Sequence, residues 1–160
     1  MKAKPISAPS HLNEAFHYQN PVPFSRGTRV EIGNIVILFI SGTASVNEEG
    51  KSVHIGDLSK QSFRMFNNVD ALLKVEGASW RDAVRTTFYL RDIDRDYQEL
   101  ANLRMQYFKK IGLKVFPAST CVEARLCRPE LLVEMEAIAI FELKKKTQKN
   151  KRTAKKSRVS

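Results

Sequence analysis

In CRPELLVEMEAIAIF, residues 127–141, β-prone residues run on from Leu131 while every second position changes character. A strand turns successive side chains to opposite faces. Leu131, Val133, Met135, Ala137 and Ala139 therefore share one face, and Leu132, Glu134, Glu136, Ile138 and Ile140 share the other. The first set is core. The second holds two carboxyls roughly 6 to 7 Å apart along the strand, between aliphatic neighbours that do not belong in water. A second copy of the chain covering that face resolves the conflict once the two helices read below are placed on the opposite face, so oligomerisation is expected, of an order the pattern does not give.

Working outward, GTRVEIGNIVILFISGTASV (27–46) reads as two strands joined at a tight turn, with breaks at Gly33 and Gly42. Asp57 is placed to cap a helix in which Phe66, Val69, Leu72, Leu73 and Val75 trace one face, and Gly77 stops it. DAVRTTFYL (82–90) is β-branched and aromatic, hence a strand. The stretch 92–112 is a second amphipathic helix, with Tyr97, Leu100, Leu103, Tyr107, Phe108 and Ile111 on its apolar side. STCVEARL (119–126) and LLVEMEAIAIF (131–141) are the last strands, separated by Pro129. Neither helix is apolar all round, so both are expected on one face of a single sheet, an α+β fold. Residues 1–23, with four prolines and little periodicity, read as an irregular arm before a domain at 24–143.

A chain of 160 residues, 42% hydrophobic, suffices for one domain with a core of its own. The net charge of +10 is local: residues 144–160 hold nine of the 27 Lys/Arg and no acid, so the rest carries 18 basic groups against 17 acidic ones. That tail has little to bury and is expected to be disordered, either a solubilising extension or a non-specific, salt-sensitive grip on RNA. No apolar run is long enough for a bilayer, and the first residues lack the apolar stretch of a secretory leader. The two cysteines, Cys121 and Cys127, make no disulfide framework, which suits a cytoplasmic location. His11, His17 and His54 are scattered, so no metal site is expected. The P-loop, dinucleotide and serine-elbow glycine patterns are absent, and no cofactor is implied.

What remains is the carboxylate strand. Desolvation and mutual repulsion would raise the pKa of at least one of the two glutamates, which suits a general acid working near neutral pH. The alternative is a purely structural pairing with Arg85 or Arg125, and it weighs more heavily for Glu136 than for Glu134. Cys127, seven residues before Glu134, reads either as part of such a site or as a small apolar residue ahead of a turn. Cations for an anionic substrate are Arg26, Arg85, Arg125 and Arg128, with Arg26 and Arg125 ranked first.

The stretches ISGTASV, GDLSKQSFRMFNNVDALLKVEGASWRDAVRTTFYLRDI, FPASTCVEARL and LLVEMEAIA, in order between residues 24 and 142, resemble the RidA/YjgF family of reactive intermediate deaminases. The resemblance implies a chorismate-mutase-like fold, a mixed sheet with two helices on one face, assembled as a homotrimer. Three clefts between subunits would hydrolyse enamine or imine intermediates of a small carboxylated metabolite. Residue by residue, it implies Ser41 and Cys121 in the pocket and Glu134 positioning the attacking water. The family's arginine that grips the substrate carboxylate falls at Ser119, its site tyrosine at Phe24, and an asparagine of the second helix at Ala101. A hydroxyl does not replace a bidentate guanidinium. FISGTASV with CRPELLVEME is also similar to the carboxyl-terminal half of the chorismatases, where a cysteine and a glutamate spaced as Cys127 and Glu134 serve hydrolysis of an enol ether. The expected site thus comprises Glu134 and Cys127 as catalytic groups, with Ser41, Ser119, Thr120, Cys121, Arg26 and Arg125 binding substrate. The alternatives are a ligand-binding homologue without catalysis, or an RNA-associated protein acting through its tail.

Overall fold

A computed structural model describes residues 1–143; the expected disorder and RNA contact of 144–160 lie outside the described residues. Six strands form one mixed sheet: β1 (Lys2–Pro5), β2 (Gly27–Ile32), β3 (Ile35–Ala44), β4 (Ala83–Leu90), β5 (Ala118–Glu123) and β6 (Val133–Glu142). Their spatial order is β1-β2-β3-β6-β4-β5. Only β4 and β5 are parallel neighbours, since α2 (Ile93–Lys110) crosses between them; α1 (Leu58–Val75) links β3 to β4. The quoted strand, β6, thus lies in the middle, antiparallel to β3 on one side and β4 on the other.

The helix ends follow the expected chemistry. Asp57 accepts the Lys60 amide at 2.8 Å, and Gly77, at φ 79°, reverses the chain so that the Ala78 amide reaches the Leu73 carbonyl. Asp92 caps α2 by accepting the Arg95 amide at 2.9 Å. Both helices pack on the face of β6 that carries Val133, Met135, Ala137 and Ala139, all buried. Phe66 is central to that core: it stacks on Tyr107 at 4.7 Å and meets Trp80 and Phe88 edge-on. Burying each such ring contributes about 1.5–3 kcal/mol.

The opposite face has no layer over it in the described residues. Phe39 lies across from Ile138 and Ile37 across from Ile140, and Phe39 and Ile140 are 45% and 41% exposed.

The reading of residues 1–23 as an irregular arm requires correction. Lys2–Pro5 adds an edge strand antiparallel to β2, and Ile6, Ala8, Leu12 and Ala15 are fully buried. Four residues are too few for alternation to be legible, and Pro5 is tolerated because an edge strand does not need every amide. Arg29 anchors this edge through Glu31 at 2.7 Å and Glu76 at 3.2 Å, with Lys4 joining Glu76 at 3.1 Å.

Two side chains far apart in sequence fix the loop that leads into β6, and a third fixes the end of β3. Gln61 donates to the carbonyls of His54 and Glu130 and accepts the Leu132 amide at 2.8 Å. Arg91 donates to the carbonyls of Leu131 and Arg128, each at 2.6 Å. Asn68 donates to the carbonyls of Ala44, the last residue of β3, and Val46 beyond it. Buried carbonyls need partners, and satisfying them with side chains frees 124–132 from the sheet while holding it beside Glu134.

Candidate functional site

Glu134 sits where the β3–β6 ladder slips. Ile40 pairs with Ala137, but Thr43 pairs with Met135, so Ser41 and Gly42 together stand against Glu136 and β3 carries one extra residue just before the Ala44–Glu134 pair. The bulge is pinned: the Ser41 amide donates to the Arg26 carbonyl, the Ser41 hydroxyl to the Ser25 carbonyl at 2.8 Å, and the Thr43 hydroxyl to the Ser41 carbonyl at 2.8 Å. The Glu134 carboxyl lies directly over Gly42; a Cβ there would stand 2.1 Å from Oε1. Gly42 has no left-handed φ, so the requirement for glycine is one of space.

This carboxyl faces a cleft of about 680 Å³ whose walls include Tyr18, Phe24, Arg26, Cys127 and Arg128. Burial pushes the pKa of Glu134 above the ordinary carboxylate range; Arg26 and Arg128 pull it down, and Glu136 pushes it up again. No described side chain donates a hydrogen bond to it. Desolvation outweighs the two guanidiniums because both are engaged elsewhere. Arg26 donates from Nε to the Asn13 carbonyl at 2.7 Å and from Nη2 to the Tyr18 hydroxyl. Arg128 donates from Nη1 to the Gly50 carbonyl at 2.8 Å and the Ser52 hydroxyl at 3.1 Å. Both guanidiniums lie against the Tyr18 ring, at 5.2 and 5.0 Å. That ring in turn covers Gly50, where a Cβ would come within 2.4 Å of it.

The expected residues therefore divide. Glu134, Cys127 and Arg26 line one cleft, whereas Ser41 lines a separate, smaller depression with Arg85 and Glu136. Ser119, Thr120 and Cys121 are elsewhere. In β5, Ser119 pairs with Thr86 and Cys121 with Phe88, both buried on the helix-covered face, and the Thr86 hydroxyl donates to that of Ser119 at 3.2 Å. Within one chain these two face away from Glu134. Thr120 lies on the open side, accepting from Arg85 at 2.9 Å. Arg125 is exposed and outside the cleft lining. The structural pairing of Glu136 with Arg85 or Arg125 is not formed among the described residues; Glu136 is exposed, and its charge, after burial, raises the Tyr89 pKa.

Tyr18 and Gly42 were not among the expected residues. Tyr18 lies in the segment read as an arm, and no local pattern marks it. Gly42 was legible only as a strand break, and its role is the space it leaves for the Glu134 carboxyl.

The family model described as Endoribonuclease L-PSP matches residues 18–141. A RutC family protein of Pyrococcus abyssi is 32% identical over 120 residues, a span covering 75% of this chain and 87% of that protein. The 2-iminobutanoate/2-iminopropanoate deaminase of Escherichia coli is 30% identical over 118 residues, covering 74% of this chain and 87% of the deaminase. Among solved structures, the YjgF gene product of Escherichia coli superposes with a TM-score of 0.67 at 27% identity, over 86% of this chain and 98% of that one.

Proposed function

We propose that this chain, which belongs to the RidA/YjgF family, is a cytoplasmic hydrolase that adds water to an imine, enamine or enol-ether bond of a small carboxylated metabolite. The observation that carries the reading is the seat of Glu134: a carboxyl lodged over Gly42, open to a cleft, with its pKa raised by burial. A carboxyl tuned toward neutrality exchanges protons readily at cellular pH. With an imine, Glu134 takes a proton from water as the oxygen bonds to carbon and passes it to nitrogen; it then relays the hydroxyl proton of that adduct to the same nitrogen as the C–N bond breaks, leaving a ketone and ammonia. With an enol ether, the protonated acid delivers its proton to the methylene carbon, water adds to the resulting cation, and the adduct collapses to ketone and alcohol.

Arg26 and Arg128 brace the wall, and the exposed Cys127 borders the same cleft. Two features favour a homotrimer with the working cleft between copies: the uncovered apolar face, and the placement of Ser119 and Cys121 on the face away from Glu134. The test is Glu134→Gln assayed on 2-iminobutanoate and on chorismate. Hydrolysis of either should fall by about 10²- to 10⁴-fold. Wild-type protein that binds carboxylates but hydrolyses neither would favour a ligand-binding homologue instead.

The nine Lys/Arg of 144–160 support a second, separate reading, non-specific contact with RNA.

A further inference from the structure

Ser119 leaves the family's anchoring position without a guanidinium, and a different arginine lies within reach of it. The buried and half-buried arginines Arg26, Arg29, Arg64, Arg91 and Arg128 each donate to protein oxygens. Arg104, half-buried on α2, makes no hydrogen bond and no ion pair among the described residues. Its guanidinium lies over the Phe88 ring at 4.3 Å, and Phe88 pairs with Cys121. The Cys121 thiol and the Arg104 guanidinium feel each other's charge. Ser119 is two residues back along β5 on the same face, hydrogen-bonded to Thr86. Ala101, where the family carries an asparagine, is three residues before Arg104 on α2, one turn away on the same side. Both departures from the family pattern put short side chains near Arg104, a cation with no counter-charge among the described residues. A partly desolvated, unpaired guanidinium costs stability, a cost that an incoming anion would remove.

We infer that Arg104, with the Ser119 hydroxyl beside it, forms the carboxylate-binding site of this protein, the guanidinium having been transferred from the strand to the helix. The planar fork offers two parallel N–H donors to a carboxylate. This inference rests on the proposed hydrolase reading and adds the residue that selects a carboxylated substrate.

The test compares wild type, Arg104→Met and Arg104→Lys in the full chain. The probes are 2-oxobutanoate and its uncharged amide, measured by calorimetry, together with KM and kcat for 2-iminobutanoate and thermal melting. Methionine keeps an aliphatic stem over Phe88 and removes the charge. Arg104→Met should weaken 2-oxobutanoate binding by about 30-fold and raise KM similarly, with kcat within about threefold. Arg104→Lys should fall between the two. Amide binding should be unchanged, and the melting temperature of Arg104→Met should equal or exceed wild type. Unchanged 2-oxobutanoate affinity in Arg104→Met overturns the inference, as does a parallel loss of acid and amide binding or a lowered melting temperature, which would mark a packing role. Glu134-dependent hydrolysis with a normal KM in Arg104→Met overturns the anchor and leaves the hydrolase reading intact. Arg104-dependent acid binding without hydrolysis does the reverse, and wild type that ignores 2-oxobutanoate overturns both.

Discussion

Gly42→Ala isolates the position of one carboxyl from the stability of the fold. The added Cβ would lie 2.1 Å from Glu134 Oε1 and 3.2 Å from its carboxyl carbon. Ordinary contact begins near 3.4 Å, so the carboxyl must retreat by more than about 1 Å along a flexible side chain. The backbone at Gly42 is not left-handed, and alanine there restricts the unfolded chain, a gain of about 0.4–1 kcal/mol. Stability should therefore change by less than about 1 kcal/mol, while a reacting group misplaced by about 1 Å costs on the order of 10²-fold in rate. The assay is ketoacid release from 2-iminobutanoate under single-turnover conditions, run beside urea denaturation of the same samples. Activity within threefold of wild type would refute the claim that this carboxyl works from its seat over Gly42. A loss of rate matched by a loss of stability would attribute the effect to the fold instead.

The raised pKa of Glu134 sets the sign of a second result. Its contribution to stability is fully present below the ordinary glutamate range and is lost as pH rises through the elevated native value; Glu134→Gln should flatten that part of the stability profile in urea titrations across pH. Rate profiles separate the two chemistries: enol-ether hydrolysis, which needs the neutral acid, should fall as pH rises through that value, and imine hydrolysis by the carboxylate should rise. Phe66→Ala opens a cavity among Tyr107, Trp80 and Phe88 and should cost about 3–5 kcal/mol by chemical denaturation; a cost under 1 kcal/mol would mean the aromatic cluster is not the keystone of the core. Deleting residues 144–160 should abolish retention on RNA at low salt, and retention unchanged by the deletion would dismiss the tail as the contact.

Several features were legible because they are local. Alternation along residues 131–141 told which side chains of β6 meet the helices, and Val133, Met135, Ala137 and Ala139 are indeed the buried set. Asp57 and Gly77 marked the ends of α1 because a cap acts on amides three residues away and a left-handed stop acts on its own turn. The apolar character of the outward residues on β6 likewise survives in the exposed Ile140 and in the half-buried Ile138 across from exposed Phe39, on a face with no layer over it among the described residues.

Tertiary structure alone decided the rest. Gln61 bonds to the backbone at residues 69 and 71 positions away, and those bonds, with Arg91, carry Cys127 and Arg128 to the cleft. Nothing in the spacing of Cys127 and Glu134 could show that Tyr18, from the first residues of the chain, would close the same wall, or that Ser119 and Cys121 would turn to the other face. Periodicity fixes where a side chain points relative to its own strand or helix; which surfaces then meet depends on the order of strands and on polar bonds between distant segments, and those exist only once the chain has packed.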